Sequence, residues 1–359
     1  MDKLTQLASR FALEGAIAQV KPLGEGFIND TYTVTLEGQD QPSYILQRKN
    51  HLVFPDVPAM MDNIERVTRY IKTKVHDPLR QTLTVVPTTD GALYYKDEDG
   101  NYWAVTLYIR GTMSYTKADS PEIAYQGGLG LGQFHRLVDG FTEPLAEVIK
   151  GFHNIRWRFV QWDEALQRDA AGRVKDLKEE IGWIESRREK MLAFWELFEK
   201  GVIPTRVTHN DTKISNFLFN ADDRSLLCAI DLDTLMSSTL LNDTGDALRS
   251  YTNTAEEDEP DEEKMKLDLR LFRAYAEGYL PQMGDVLSEA ELKSLATGAA
   301  VITLELASRF LGDYIIGDKY FRIDYPEHNL VRARAQLALF RDMMLHMDDM
   351  QAIIADCCK

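Results

Sequence analysis

The chain has 359 residues, with 41 Lys and Arg against 57 Asp and Glu and a formal net charge of -16. The length can bury a core spread over two domains or lobes, and the acidic balance argues against a nucleic-acid partner or an anionic membrane surface. Cys228, Cys357 and Cys358 make neither a disulfide framework nor a metal-ligand spacing. No signal peptide and no apolar run long enough to cross a bilayer is read, so a reducing cytoplasm is expected.

An amphipathic helix opens the chain at MDKLTQLASRFALEG, and the segment from Val20 to Asn50 reads as strands. Between them lies a turn carrying Gly24 and Gly26. Glycines at such a turn let backbone N–H groups approach phosphate closely, although most turns of this kind are only hairpins. The strand YILQRKN ends in two cations, Arg48 and Lys49, and side-chain alternation lets only one of them point to a given face. No Gly-x4-Gly-Lys-Ser/Thr occurs, which disfavours a P-loop enzyme.

A helix over residues 57–74 places Met61, Ile64, Val67 and Ile71 on a core face, with Asp62 or Glu65 able to reach a strand cation. Strands resume between Leu83 and Arg110, with a hairpin turn at Asp97–Gly100. Five strands and one helix thus make a small antiparallel lobe that closes near Gly111, so 1–110 and 111–359 are the expected domains.

Helical patterns dominate the second domain. Gly127, Gly128, Gly130 and Gly132 within 121–138 read as close helix packing, and His135 as structural. Residues 157–200 suggest a long helical pair. The acidic run Glu256–Glu263 reads as a solvated loop.

Between Pro204 and Ser250 the pattern changes. The runs Phe217–Phe219 and Leu226–Ile230 flank the polar turn Asn220–Ser225, which predicts a β-hairpin. Its two ends bring Asp211, Asn216 and Asp231 toward one small volume. Several carboxylates in one place need a compensating cation, and a carboxylate with an amide oxygen is a hard ligand set suited to Mg²⁺. Asp211 to Asn216 has the Asp-x4-Asn spacing of a kinase catalytic loop. There the Asp accepts the proton of the attacking hydroxyl, while the Asn and a second Asp hold the metal. Further on, Glu305, Arg309 and Asp313 recur every four residues on one helical stripe. Such a stripe is either a set of intrahelical ion pairs or a polar wall for a hydroxyl-rich ligand.

Together, the glycine turn, YILQRKN, THNDTKISN and IDLDTLM resemble the aminoglycoside phosphotransferase and choline kinase superfamily. The segments NDTGDALRS and ELASRFLGDYIIGDKYF are most similar to N-acetylhexosamine 1-kinases. The resemblance implies an α+β, protein-kinase-like fold of two lobes: a small antiparallel, nucleotide-binding β lobe, a hinge and a larger helical lobe. It implies Asp211 as catalytic base, Asn216 and Asp231 as Mg²⁺ ligands, His209 as a structural member of the catalytic loop, and Asp233 at a position often acidic in the superfamily. Gly24, Gly26 and Asn29 would cover the phosphates of ATP with Arg48 as the phosphate-binding cation. Glu305 and Arg309, beside Asp211, would meet the sugar. The implied reaction is transfer of the γ-phosphoryl group to the anomeric hydroxyl of GlcNAc or GalNAc. Choline, homoserine, a thioribose and an aminoglycoside are alternative acceptors, and a catalytically silent nucleotide-binding regulator is the alternative of another class.

Overall fold

A computed structural model describes residues 2–24, 28–253 and 255–358. Contact clustering divides the chain into two compact units. The first comprises residues 1–114, 137–150 and 216–237, the second 115–136, 151–215 and 238–359. The expected contiguous division at 110/111 differs from this in two segments. One of them has a plain cause: the hairpin at 217–229 hydrogen-bonds to the strand Thr112–Met113, through Met113 opposite Phe219 and Thr112 opposite Asn220.

The first unit is built on an antiparallel sheet. In chain order its strands are β1 (Ile17–Pro22), β2 (Asp30–Leu36), β3 (Tyr44–Lys49), β4 (Val85–Val86), β5 (Tyr95–Lys96), β6 (Tyr102–Leu107) and β7 (Thr112–Met113). The sheet order is β1-β2-β3-β6-β4 with β5 on β6. Helix α1 (Lys3–Ala8) covers one face: Leu7 and Phe11 pack with Val34, Tyr44, Leu46, Trp103 and Val105. Tyr44 and Leu46 therefore mark the core face of β3, and Lys49 belongs to the other face. Helix α2 (Val57–Lys72) is capped by Asp56 and carries its predicted apolar stripe, with Met61, Ile64, Val67 and Ile71 all buried. Its buried Asn63 donates from Nδ2 to the carbonyls of Ala146 (2.9 Å) and Leu235 (3.0 Å).

The second unit is helical: α3 (Pro121–Val138), α4 (Ile155–Arg168), α5 (Lys178–Glu185), α6 (Arg188–Glu199), α7 (Leu240–Tyr251), α8 (Leu269–Met283), α9 (Glu289–Ile316), α10 (His328–Leu345) and α11 (Met347–Cys357). Four short strands complete the chain: β8 (Arg206–Thr208), β9 (Phe217–Asn220), β10 (Leu226–Ala229) and β11 (Met236–Ser238). A core of Phe159, Trp162, Ile184, Trp195, Leu304, Phe310 and Leu337 joins α4, α5, α6, α9 and α10. Glycines do pack α3 closely. A Cβ on Gly128 would stand 2.2 Å from the Tyr275 carbonyl oxygen, and one on Gly278 of α8 2.2 Å from that of Tyr125, so the two backbones meet directly.

The 28-residue α9 is the organising helix of this unit. A capping box of Ser288 and Glu291 starts it, and Gly317 in the left-handed region (φ 94°) stops it. By length and composition α9 could cross a bilayer, contrary to the expectation that no such run exists, but 83% of its most apolar window is buried inside the protein. It is apolar on most sides because other helices surround it.

Candidate active site

In the first unit the hairpin forms as expected. Phe217 pairs with Ala229 and Phe219 with Leu226, and the turn closes with Asn220 N–H donating to the Ser225 carbonyl at 2.8 Å. At its foot the N–H of Ile230 donates to the carbonyl of Asn216 at 2.8 Å. That bond brings Asp231 beside Asn216, fifteen positions away in sequence. Asn216 is buried. Asp231 is exposed and holds a left-handed backbone (φ 55°) that starts the short 3₁₀ turn Leu232–Thr234.

That turn carries Asp233 inward. Lys49, 4% exposed, donates from Nζ to both Asp233 oxygens (2.7 and 2.9 Å) and to Gln47 Oε1 (2.7 Å). Asn29 donates from Nδ2 to Asp233 Oδ2 at 2.8 Å, and its Oδ1 accepts from the N–H of Asn50 at 3.0 Å. Of the two cations of β3, Lys49 and not the expected Arg48 is thus the one held beside Asp233. Arg48 lies directly opposite Asp30 on β2, on the core face but beyond the core, where it is exposed and donates from Nε to Asp30 Oδ2 at 2.6 Å. Neither acidic residue of α2 is the partner of Lys49. Asp62 pairs with Arg66 at 2.8 Å, and Asp233 occupies the ammonium. Gly24 has a left-handed backbone (φ 64°) with open space where a Cβ would stand; Gly26 lies outside the described residues.

Lys49 and Arg48 thus make opposite predictions. Lys49→Met is expected to weaken nucleotide binding at least about tenfold and to destabilise the fold, because it leaves Asp233 buried without its cation. Arg48→Met removes only an exposed pair worth at most about 1 kcal/mol. Nucleotide titration and denaturant melts of the two variants check the assignment.

Asp211 sits in the second unit, on the loop after β8. Two carboxylates of α7 hold that loop by its backbone. Buried Asp243 accepts the N–H of His209 on Oδ2 and that of Asn210 on Oδ1, both at 2.7 Å, while His135 Nε2 stands 2.8 Å from Oδ2. Asp246, one turn on, accepts the N–H of Thr212 at 3.2 Å and is paired with Arg249 at 2.9 Å; Arg249 in turn meets Glu257 at 3.1 Å. Burial alone would raise the Asp246 pKa, yet Arg249 and Lys213 hold it below the usual carboxylate range. Tyr251 closes the loop by donating to the Thr212 carbonyl at 2.5 Å. Asp211 is therefore carried on a segment whose backbone is fixed at residues 209, 210 and 212. Lys213, two residues on, has its pKa raised chiefly by the charge of Asp211, so a cation accompanies that carboxylate.

The C-terminal stripe resolves differently from its sequence reading. Glu305 is 1% exposed, with Arg158 Nε at 3.0 Å, His153 Nδ1 at 3.4 Å and Arg309 Nε at 3.7 Å. Desolvation raises its pKa, but Arg309 and His153 outweigh it and hold the carboxyl at about 2. Burial beside Arg309 lowers Arg158 to about 10. Asp313 pairs with neither arginine: it accepts the backbone N–H groups of Lys319, Tyr320 and Phe321, each at 2.9 Å, and Asn329 Nδ2 at 3.0 Å. A cavity of about 240 Å³ opens beside this cluster, walled by Arg158, Arg309, Ser308, Trp162, Tyr320 and Phe321 among others. Arg309 is on its wall, whereas Glu305 lies behind the two arginines as their shared counter-charge. A carboxylate so deep in a helical core needs that compensation, which withdraws it from a ligand.

Lys213, His153, Arg158, Asp243 and Asp246 escaped sequence reasoning, whereas Lys49 is one of the two candidate cations of its strand. Asp243 and Asp246 left a signal, two acidic residues three apart in the segment NDTGDALRS, and Lys213 is marked by its place two residues after Asp211. His153 and Arg158 left none.

The model of the APH phosphotransferase enzyme family matches residues 19–283. Among solved structures, a microcompartment-associated aminopropanol kinase aligns with a TM-score of 0.67 at 16% identity, covering 97% of this chain and 98% of that one. An aminoglycoside phosphotransferase of Alicyclobacillus acidocaldarius aligns at 0.58 and 16% identity, over 98% and 94% of the two chains. An ethanolamine kinase of Plasmodium vivax aligns at 0.58 and 12% identity, over 90% and 84%. The fold is kinase-like, with an antiparallel-sheet N-terminal lobe and a helical C-terminal lobe.

Proposed function

We propose that this chain, which belongs to the phosphotransferase enzyme family, is a cytoplasmic kinase that transfers the γ-phosphoryl group of ATP to the anomeric hydroxyl of an N-acetylhexosamine. The observation that carries the acceptor class is the cavity wall. Choline, ethanolamine and aminoglycosides are cations, and a pocket for them needs uncommitted carboxylates. Of the carboxylates of this wall among the described residues, buried Asp313 is committed to three backbone N–H groups and Asn329, and exposed Glu164 stands 4.0 Å from the guanidinium of Arg168 on the same wall. Three guanidiniums, of Arg158, Arg168 and Arg309, with a serine hydroxyl and aromatic faces suit a neutral, hydroxyl-rich ring instead, and a volume of about 240 Å³ limits the ligand to a small one.

In this reading Asp211 orients the acceptor hydroxyl and takes its proton, and the backbone bonds to Asp243 and Asp246 fix where that carboxylate stands. Lys49, positioned by Asp233, and the turn at Gly24 hold nucleotide phosphates. Arg309 contacts the sugar. Asn216 and Asp231 fit Mg²⁺: one amide and one carboxylate oxygen at a hairpin foot are hard ligands too few for a closed site, as suits an ion that takes its remaining ligands from phosphate and water. When bound, the ion offsets the charge of the phosphate oxygens.

An ADP-release assay across GlcNAc, GalNAc, glucose, choline, aminopropanol and an aminoglycoside tests this. Turnover with the N-acetylhexosamines alone, giving an acid-labile and alkali-stable phosphate, is the expected result. Turnover only with the amines would overturn the acceptor class and leave the phosphotransferase chemistry standing.

A further inference from the structure

We propose that His153 is a positioning residue that ties the arginine-lined cavity to the loop carrying Asp211, an inference that rests on reading residues 209–216 as the catalytic loop. The segment holding His153 is rigid. Gly151 before it is left-handed (φ 62°), where a Cβ would strike the Trp157 ring at 2.0 Å, and Asn154 after it caps α4 through the N–H of Trp157 at 3.0 Å. The imidazole, 8% exposed, has Nε2 3.3 Å from the carbonyl oxygen of Asn210 and Nδ1 3.4 Å from Oε2 of Glu305.

Each end of this bridge is anchored. Asn210 is left-handed (φ 65°) and its N–H is bound to Asp243, so its carbonyl direction is set and Asp211 follows one residue later. At the other end Glu305 is gripped by Arg158 and Arg309, which also wall the cavity. Phe152 couples the same parts a second way. Its ring lies 4.5 Å from the His153 ring and 5.2 Å from the Arg309 guanidinium, and its carbonyl accepts from Arg158 Nε at 2.8 Å. The charged groups around the imidazole are Glu305 and Arg309 on α9, Arg158 on α4 and Asp246 on α7.

A carbonyl oxygen can only accept, so Nε2 of the ring is the donor in the contact with Asn210. Neither Glu305 oxygen nor Nδ1 of His153 completes a well-formed hydrogen bond, so the cluster is held by charge. A ligand that engages Arg309 draws on Glu305, and through the ring it sets the Asn210 carbonyl and hence Asp211. His153 touches no reacting atom; it transmits occupancy of the cavity to the base.

The test uses the full chain as His153→Ala and His153→Gln, with whichever acceptor of the panel supports turnover, beside ring ¹⁵N spectra of the wild-type protein. Glutamine keeps an N–H donor for the Asn210 carbonyl. The Ala variant is expected to lose kcat about tenfold or more, since small misplacements of a catalytic group are costly, with KM for ATP unchanged. Recovery of at least half of that loss on the logarithmic scale by Gln supports positioning. Unchanged kcat in both variants overturns the proposal. So does equal loss in both, or a proportionate rise in KM for ATP. If the Ala variant does not fold, Gln decides against the same wild-type value: retained kcat supports the proposal and a tenfold loss overturns it. Wild-type ring signals showing a protonated Nε2 support the contact with Asn210, and an Nε2 without a proton overturns it. Those spectra need no acceptor, so failure of every acceptor in the panel counts against the proposed function while the spectra still decide the role of His153.

Discussion

Asp211→Asn is expected to abolish acceptor-dependent ADP release, a fall of about 10³-fold or more, while ATP binds with unchanged affinity. Asparagine keeps the size of the side chain and loses the oxygen that takes a proton. The loop should not move, because it is held by its backbone: the N–H groups of His209, Asn210 and Thr212 are bound by Asp243 and Asp246 whatever stands at 211. The separation also follows from where the residues proposed for the nucleotide lie, since Lys49, Asn29, Asp233, Asn216 and Asp231 all belong to the first unit and Asp211 to the second. One electrostatic side effect is foreseen. Lys213 owes its raised pKa chiefly to the Asp211 charge, so the variant leaves that ammonium more weakly held. Turnover within a few-fold of wild type in the Asn variant would remove Asp211 from the chemistry.

The hairpin was readable because its information is local. Two apolar runs on either side of a polar turn specify β9 and β10, and closure at Ile230 and Asn216 follows from the pairing. The carboxylate and amide spacing could then be assigned chemistry. What could not be read are contacts made over long separations. Asn29 meets Asp233 across 204 positions and Lys49 meets it across 184. The choice of Arg48 failed for a specific reason: alternation separates Arg48 from Lys49 but does not say which face of β3 is the core. Tyr44 and Leu46 hold the answer once α1 is seen to cover them. Glu305 failed differently. A charged residue every fourth position looks like an amphipathic stripe, but α9 is enveloped, with Glu305 and Arg309 members of a buried ion cluster and Asp313 taken up by backbone N–H groups.

Glu305→Gln is expected to cost about 3–5 kcal/mol of stability, the penalty of removing one partner from a buried charge cluster. Gln nearly matches the volume, so packing in the core is kept and the loss reports charge. Two guanidiniums, Arg158 and Arg309, would remain buried against each other without a counter-ion, and Arg158 is already lowered to about 10 by burial and by that neighbour. The sign of the pH effect follows from the same carboxyl. Its pKa is about 2 in the fold, below its ordinary value near 4.5, so the stability it supplies is complete above the ordinary value and is lost as pH falls toward 2. Wild type should therefore show this share of acid destabilisation between about pH 4.5 and 2, and the Gln variant should lack it while being less stable at neutral pH. Denaturant unfolding at pH 7 and pH 4 measures both. Equal stability of the two proteins at pH 7 would show that the arginines find another anion, and with it that Glu305 is available to a ligand after all.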